Sequence, residues 1–253
     1  AAGIGPDGSS VVVHAVIGSP VHGDETLDPK RSMLSERYSG TFAERVRVPA
    51  DNLIPLPAGF TFEQASCLPT AYLTAYRMPT TKASATAGQT ILVQGAGGGV
   101  ATAAIVLGKA MGCRVWVTSR DEQKGEWAVG IGADEAFPTG ARLPDKVDAV
   151  IETVGEATWD HSLKSLRPGG IIVVSGATSG PMPPAQLNRV FFLQLTVAGS
   201  TMGTAQEFRQ LIDLMSQQQI FPIIDRTLPM ADAREGFAAM NEGTVRGKIV
   251  LTR

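Results

Sequence analysis

Uninterrupted apolar runs alternate with helical segments through the second half of the chain. The runs TILVQ (90–94), CRVWVTS (113–119), AVIETV (149–154) and IIVVSGA (171–177) predict strands. The stretches between them predict helices: GVATAAIVLGKAMG (99–112), DEQKGEWAVGIG (121–132) and TWDHSLKSL (158–166). Strands without polar alternation that are separated by helices are typical of a parallel sheet buried on both faces. The pattern therefore predicts an α/β fold with a doubly wound parallel sheet.

The first 60 residues have a different texture, typical of strands and loops. SSVVVHAVIG (9–18) predicts a strand, and GTFAERVRVPADNLIPLP (40–57) alternates around Phe42, Val46 and Val48 before it breaks at prolines. The polar segment 19–39 between them has no apolar period and predicts a surface loop. This half of the chain is therefore expected to be rich in β-structure.

Helices and short strands surround the predicted sheet. TFEQASCLPTAYLTAYRM (61–78) has helical spacing with Thr61 as a possible N-cap, and Pro69 is expected to split it into two helices. FFLQLTVAGSTMG (191–203) predicts one more strand. The tail predicts a helix over 205–218, a short strand, a helix over 231–243 and a final strand, GKIVLTR (247–253).

The composition argues against nucleic acids and membranes as binding partners. The net charge is −2 and charged residues make up 18% of the chain, so there is no basic field for nucleic acid or an anionic membrane. No apolar run reaches the roughly 18 residues of a membrane span, and AAGIGPDGSS lacks the features of a signal peptide. The only cysteines, Cys67 and Cys113, exclude a four-cysteine zinc lobe and indicate a reducing, cytoplasmic setting. Both are expected to be small buried hydrophobes.

The stretch LVQGAGGGVATAA (92–104) carries the strongest chemical signal. A glycine cluster that follows an apolar strand and precedes a small-residue helix can place backbone N–H groups against a pyrophosphate. The alternative is a tight strand–helix turn without a ligand. The dinucleotide-binding motif is G-x-G-x-x-G or G-x-G-x-x-A. Placed over residues 95–100, this motif would end on Val100, whereas placed over 96–101 it ends on Ala101. Because the last position needs close helix–strand packing, the second register is favoured.

The end of the second strand bears on which dinucleotide would bind. An NAD-binding chain places Asp or Glu there, about 20 residues after the glycine motif. Ser119 occupies that position here, with Arg120 next to it and Lys124 one helical turn later. Arginine can bind a 2′-phosphate through two hydrogen bonds, so these residues favour NADP(H). Asp121 is the competing candidate, but it is better placed to cap the following helix.

Several motifs together resemble the medium-chain dehydrogenase/reductase family, in particular its quinone-oxidoreductase-like, zinc-independent branch. The matching segments are GTFAERVRVPADNLIPLPAGFTFEQASCLPTAYLTAY, ATAGQTILVQGAGGGVATAAIVLGKAMGCRVWVTSRDEQK, VIETVG, LRPGGIIVVSG and GKIVLTR. The resemblance covers residues 38–253. It implies a partial β-rich GroES-like catalytic domain at 1–72, a Rossmann cofactor domain at 73–203, and a C-terminal segment, 204–253, that returns to the catalytic domain. NADP(H) would bind in the cleft between the domains.

The resemblance also implies where individual residues contact NADP(H). The cofactor-binding set runs along the nicotinamide side, the pyrophosphate, the adenosine phosphate and the adenine ribose: Thr74, Ala96, Gly98, Gly99, Val100, Ser119, Arg120, Lys124, Thr153, Val154, Ser175, Gly176, Ala177, Ser200, Thr201, Met202 and Lys248. Lys248 has a competing interpretation as a solvated lysine.

Zinc chemistry is where the chain departs from part of this family. Zinc-dependent relatives carry a catalytic cysteine at the position of Thr70, and the family's Gly-His-Glu zinc motif is absent here. A catalytic zinc ion needs three protein ligands, and the histidines and cysteines do not assemble such a set. No metal site is therefore expected.

These features predict an NADPH-dependent oxidoreductase that transfers hydride to a quinone, enone or other activated alkene or carbonyl. Tyr72 is a candidate for the substrate cleft, with a core aromatic as the alternative. An apolar substrate pocket would be lined by Met182, Phe191, Phe192 and Met202, although core packing would explain each of them equally well.

The same residues are compatible with two other functions. A redox-neutral cyclase or isomerase, or a non-catalytic NADP-binding relative, is one alternative, and a zinc alcohol dehydrogenase is another. FFLQLTVAGSTMG resembles the family strand that pairs edge to edge with a twofold mate, so we expect a homodimer. No nucleic-acid or membrane partner is expected.

Overall fold

The polypeptide passes between two units at residues 73–74 and again at 200–201. The computed structural model describes all 253 residues. The first unit contains Ala1–Leu73 and Thr201–Arg253, and the second contains Thr74–Ser200. The first unit is thus assembled from both ends of the chain and the second from its middle. No helix in either unit is both long and apolar enough to span a bilayer.

The N-terminal part of the first unit forms short antiparallel strands. They are β1 (Ala2–Ile4), β2 (Ser10–Val13), β3 (Val16–Ile17), β4 (Ser32–Met33) and β5 (Leu53–Pro55). One sheet has the order β1-β2-β5, and β3 pairs with β4 separately. The predicted strand over 9–18 is confirmed as β2 and β3.

The alternating segment before β5 is not a strand, so that expectation was wrong. Residues 41–49 pair with no other strand, and Phe42 is 63% exposed. Alternation selects a buried face only where a neighbouring strand satisfies the backbone hydrogen bonds. Here no such neighbour exists, and regular pairing begins only at Leu53.

The helical segment after β5 is continuous but irregular. Helix α1 (Phe62–Ser66) begins with the predicted capping box, in which Thr61 Oγ1 accepts from Gln64 N–H at 3.2 Å. Pro69 lies in a widened turn, Leu68–Tyr72, which leads directly into α2 (Leu73–Arg77). Leu73 N–H bonds to Leu68 C=O, five residues back. The proline therefore widens the helix, where a break into two helices had been expected.

The second unit contains the predicted alternation of strands and helices. Its elements are β6 (Thr90–Val93), α3 (Gly99–Ala110), β7 (Arg114–Ser119), α4 (Glu122–Gly130), β8 (Glu135–Pro138), β9 (Val147–Glu152), α5 (Glu156–Ser165), β10 (Leu166–Val174), α6 (Leu187–Phe192) and β11 (Thr196–Gly199). Strand β8 escaped prediction because its short sequence, EAFP, has no continuous apolar run. Residues 191 and 192, expected in a strand, end helix α6, and the strand starts at Thr196.

All six strands of this unit are parallel, in the order β11-β10-β9-β6-β7-β8. The chain starts at the centre with β6, runs outward to β8, and then crosses to β9 on the other side. Both faces are covered, so Leu92, Val117, Val150 and Val173 are fully buried. This explains why the strands carry so few polar positions.

The C-terminal part of the first unit returns with two helix–strand pairs. They are α7 (Ala205–Gln218), β12 (Ile224–Pro229), α8 (Ala233–Glu242) and β13 (Lys248–Thr252). The two strands pair in parallel. Helix α7 has the bounds predicted from its period and begins with a capping box between Thr204 and Glu207.

Candidate functional site

The candidate site lies at the carboxyl ends of the parallel strands in the second unit. Strand order reverses between β6 and β9, because β7 and β8 lie on one side of β6 and β9 to β11 lie on the other. In open α/β sheets, ligands bind outside the carboxyl ends of the strands at this reversal. The loops after β6, β7, β9 and β10 therefore surround the position where a ligand would bind.

The glycine loop after β6 has the features of an anion cradle. Gly95 and Gly97 have φ values of +84° and +90°, which favour glycine. Gly98 is the N-cap of α3, no side chain caps the helix there, and a Cβ at Gly98 would meet no atom within 4 Å. The first N–H groups of α3 have no intrahelical acceptor. An uncapped helix N-terminus beside open space fits a phosphate group.

Packing of α3 distinguishes the two registers of the glycine motif. Ala101 is 5% exposed, whereas Val100 is partly exposed. The position that needs a small residue against the sheet is therefore Ala101, in agreement with the register over residues 96–101. That register leaves Gly97 unrestricted, yet its backbone also requires glycine. In the sequence, Gly97 is visible only as a glycine that the motif over residues 96–101 does not require.

In the turn after β7, the Arg120 side chain is exposed, whereas the Ser119 side chain forms hydrogen bonds within the turn. The Ser119 hydroxyl donates to Asp121 C=O at 2.7 Å and accepts from Asp121 N–H at 3.2 Å. Asp121 caps α4, since its carboxylate accepts from Lys124 N–H at 3.1 Å. Arg120 is exposed and has no carboxylate within ion-pair distance. Asp121 is thus occupied as a cap, as predicted, and Ser119 shapes the turn that presents Arg120.

The loops after β9 and β10 are packed backbone against backbone. A Cβ at Gly176 would lie 2.8 Å from Thr153 C=O, so the two loops could not approach as they do with a larger residue. Val154 C=O accepts from the Ser179 backbone N–H at 2.7 Å. Thr153, Val154, Ser175 and Gly176 are partly buried and Ala177 is exposed. Both loops therefore form a single rim beside the reversal.

Ser200 contributes an unpartnered buried hydroxyl at the end of this unit. It is 9% exposed, and its backbone N–H donates to Val174 C=O at 2.8 Å. Its side-chain oxygen has no hydrogen-bond partner. A buried hydroxyl without a partner is unfavourable in the absence of a ligand or water. Thr74, at the other end of the unit, is also buried.

Three buried polar side chains at strand ends were missed from the sequence. Gln94 follows β6, Thr118 is the last residue but one of β7, and Glu152 ends β9; all three are fully buried. Their positions were interpreted only as strand ends. A polar residue at the carboxyl end of an otherwise apolar parallel strand was the available signal.

The remaining predicted residues lie in the first unit. Thr201 and Met202 line a cavity of about 230 Å³ together with Val16, and Lys248 begins β13, partly exposed. Tyr72 is fully buried in the core. Its hydroxyl oxygen accepts from Ile223 N–H at 2.9 Å, and burial raises the pKa of the phenol. This placement favours the core-aromatic alternative for Tyr72.

Of the apolar residues expected to line a substrate pocket, the structure brings two together. The rings of Phe191 and Phe192 are 4.4 Å apart and both are exposed, at 58% and 76%. Met182 is 81% exposed on the loop before α6. The structure therefore shows these three side chains on the surface of the second unit, where no core explains them.

The titratable side chains do not form a cluster that could bind a metal ion. No group of three or more His, Cys, Asp or Glu residues is placed to hold a metal ion. His14 is buried and shares a 2.9 Å hydrogen bond with Gly203 C=O. Cys67 and Cys113 are unpaired and buried, as predicted, and burial raises the pKa of both thiols.

Known proteins resemble this chain over most of its length. A family model described as "Zinc-binding dehydrogenase" matches residues 99–217. The acryloyl-coenzyme A reductase of Metallosphaera sedula is 30% identical over 236 residues, which cover 91% of this chain and 70% of that protein. The zinc-type alcohol dehydrogenase-like protein YogA of Leptosphaeria maculans is 34% identical, with 78% of this chain and 60% of that protein covered. The quinone oxidoreductase of Mus musculus is 29% identical, with 84% and 70% covered.

Solved structures give the same picture. An NAD-dependent alcohol dehydrogenase superposes with a TM-score of 0.89 at 31% identity, covering 97% of this chain and 76% of that one. A 2-octenoyl-CoA carboxylase reductase in complex with NADP and 2-octenoyl-CoA superposes with a TM-score of 0.90 at 25% identity, covering 96% and 62%. The chain spans about 60–70% of the length of the acryloyl-coenzyme A reductase, the YogA protein and the quinone oxidoreductase.

Proposed function

Because the chain belongs to the medium-chain dehydrogenase/reductase family, with its Rossmann and GroES-like fold, we propose that it is an NADP(H)-dependent reductase. Its substrate would be an activated alkene, such as an enone or an enoyl thioester, or a quinone. Relatives named as reductases of acryloyl-CoA and as a quinone oxidoreductase support this class. The observation that carries the cofactor preference is Arg120, which lies directly after β7, is exposed and forms no ion pair.

The residues of the second unit fit a dinucleotide. N–H groups at the uncapped start of α3 would bind the pyrophosphate, with Gly98 leaving room for it. Arg120 and Lys124 would bind the 2′-phosphate, and the unpartnered Ser200 hydroxyl would bind the carboxamide. When bound, the cofactor supplies the hydride. The chain's own contribution is to orient the dinucleotide on the rim formed by the loops after β9 and β10, and to present the Arg120 guanidinium to its 2′-phosphate.

A specificity experiment tests this assignment. Dissociation constants of NADPH and NADH are measured for wild-type protein and for Arg120→Gln, with Arg114→Gln as the matched control. Arg114 is an exposed arginine at the opposite end of the same strand. We expect Arg120→Gln to weaken NADPH binding about tenfold or more while NADH binding is unchanged. Tighter binding of NADH by the wild type, or an equal loss in both variants, would refute the NADP preference.

We also propose that this chain belongs to the zinc-independent branch. Thr70, which stands where zinc-dependent relatives have a cysteine, cannot supply a thiolate ligand. Turnover of NADPH with quinones and enones by the metal-free protein is the expected result. A stoichiometric amount of zinc in elemental analysis would support the zinc alcohol dehydrogenase alternative. NADPH binding without turnover would support the redox-neutral or non-catalytic alternative.

A homodimer is proposed for the assembly. Strand β11 is the edge of the six-stranded sheet, and its Val197 is 47% exposed. An open edge with an exposed apolar side chain suits pairing with a second copy. Light scattering should give twice the chain mass, and Val197→Lys should shift it toward the monomer. A monomeric wild type would refute the dimer.

A further inference from the structure

A chain of buried side chains runs beneath the candidate site in the second unit and joins two of its loops. It begins at the glycine loop, where the Thr118 hydroxyl accepts from Gly95 N–H at 3.2 Å. The same hydroxyl donates to Gln94 Oε1 at 2.6 Å. Thr118 and Gln94 are both fully buried. The Gly95 N–H, in the loop that follows β6, is thus bound through a hydroxyl to an amide that water does not reach.

The amide group of Gln94 is held in one orientation by its neighbours. His161 Nε2 lies 2.8 Å from Ala141 C=O, and a carbonyl can only accept, so that nitrogen carries the proton. His161 Nδ1 is then an acceptor, and Gln94 Nε2 donates to it at 2.9 Å. Gln94 Nε2 also donates to Ser162 Oγ at 3.0 Å. With both amide protons used, Oε1 must face Thr118.

From Ser162 the chain continues to the loop after β9. Ser162 Oγ donates to Glu152 Oε2 at 2.6 Å. The other carboxylate oxygen, Oε1, accepts from Val154 N–H at 2.8 Å and from Gly155 N–H at 3.0 Å. Every donor along the path has an acceptor, and Glu152 is fully buried with no cation beside it. A fully satisfied buried network is rigid, because each broken bond leaves a desolvated polar group.

We propose that this network, from Thr118 through Gln94, Ser162 and Glu152, positions the glycine loop and the β9–α5 turn for the dinucleotide. None of its side chains needs to touch the ligand. Thr118 and Gln94 set the direction of the Gly95 N–H in the glycine loop. Glu152 sets the turn that contains Thr153 and Val154. Thr118 and Gln94 are therefore positioning residues for the pyrophosphate side of the site, and Glu152 is a positioning residue for the turn after β9. The inference rests on the proposed binding of a dinucleotide. It adds that these buried side chains increase the affinity for the dinucleotide.

Thr118 offers a clean test, since valine has the same shape without the hydroxyl. Thr118→Val leaves Gly95 N–H and the Gln94 oxygen without their partner, whereas Thr118→Ser keeps the hydroxyl. Two ligands separate positioning from general damage: NADPH, which contains the pyrophosphate, and adenosine 2′-phosphate, which lacks it. Dissociation constants of both are measured by calorimetry on the full chain, with urea unfolding recorded for each variant.

We expect Thr118→Val to weaken NADPH binding about tenfold and to leave adenosine 2′-phosphate within about twofold of wild type. Thr118→Ser should restore NADPH binding. If Thr118→Val fails to fold, Ser162→Ala, which cuts Gln94 from Glu152, is expected to give the same selective loss. Unchanged NADPH binding in the folded variant, or an equal loss of both ligands, would overturn the positioning role.

Failure of the proposed function has a different signature. Wild-type protein that prefers NADH would overturn the NADP preference, and the same comparison would then use NADH and adenosine, which lacks both phosphates of the pyrophosphate. Wild-type protein that binds neither dinucleotide would overturn both proposals. Normal NADPH binding by the wild type together with normal binding by Thr118→Val would overturn only the role of the network.

Discussion

Replacing Gly108 with alanine tests how closely α3 lies on the sheet that carries the candidate site. A Cβ at Gly108 would lie 2.7 Å from Cδ1 of Ile91 and 3.0 Å from Cγ2 of Val115. Both side chains are fully buried, so neither can move into solvent. Such overpacking costs roughly 1–3 kcal/mol, while the better helix propensity of alanine offsets about 1 kcal/mol. We expect a net destabilisation of up to about 2 kcal/mol.

Gly130 provides the matched control. It ends α4, it is exposed, and a Cβ there would meet no atom within 4 Å. Gly130→Ala therefore adds the same methyl group without a clash, and we expect it to be neutral or to stabilise by up to about 1 kcal/mol. The same chemical change should have opposite signs at the two positions.

The tryptophans make the measurement specific. The chain has 3 tryptophans, namely Trp116, Trp127 and Trp159, and all of them lie in the second unit, Thr74–Ser200. Urea unfolding followed by tryptophan fluorescence thus reports on the unit that contains both glycines. A Gly108→Ala midpoint equal to or above that of wild type, at unchanged slope, would refute the packing argument.

Three further predictions concern the rest of the chain. Burial lowers the pKa of His14, so the unfolded chain takes up the proton first, and stability should fall as the pH drops below about 6.5. Thermal unfolding by circular dichroism at pH 7.5 and 5 should show a smaller drop for His14→Gln than for wild type; equal drops would contradict this. The thiols of Cys67 and Cys113, each 3% exposed, should react with a disulfide reagent only after unfolding, and rapid reaction of the native protein would show the burial to be wrong. Thr204→Ala removes the acceptor of Glu207 N–H at 3.0 Å and should cost about 1 kcal/mol in thermal unfolding, with Thr204→Ser restoring most of it.

Elements with an unambiguous local period could be predicted from the sequence. Helix α7 has the predicted bounds, 205–218, because one apolar face and a capping box identify both its register and its start. The parallel strands of the second unit were recognisable because burial on both faces removes polar residues from them. The glycine loop was recognisable because its backbone needs glycine at Gly95 and Gly97.

Segments whose structure depends on distant partners could not be predicted. Residues 41–49 alternate like a strand but have no neighbour to pair with, whereas β8 pairs with β7 despite a weak pattern. Pro69 removes one hydrogen bond, and only the five-residue bond from Leu73 to Leu68 shows that the helix continues past it. Strand pairing, and the replacement of one backbone hydrogen bond by another, depend on contacts that form only in the folded chain.

The sequence by itself determined the class of fold, the presence of a glycine-rich loop between a buried strand and a helix, and the absence of an acid at Ser119, where β7 ends. These follow from local chemistry: backbone conformation at glycine, periodicity of burial, and the charge of one side chain. Only the tertiary structure decided what Ser119, Tyr72 and Gln94 do. Ser119 shapes a turn, Tyr72 fills a core, and Gln94 joins two loops, because each role depends on hydrogen-bond partners that folding brings together.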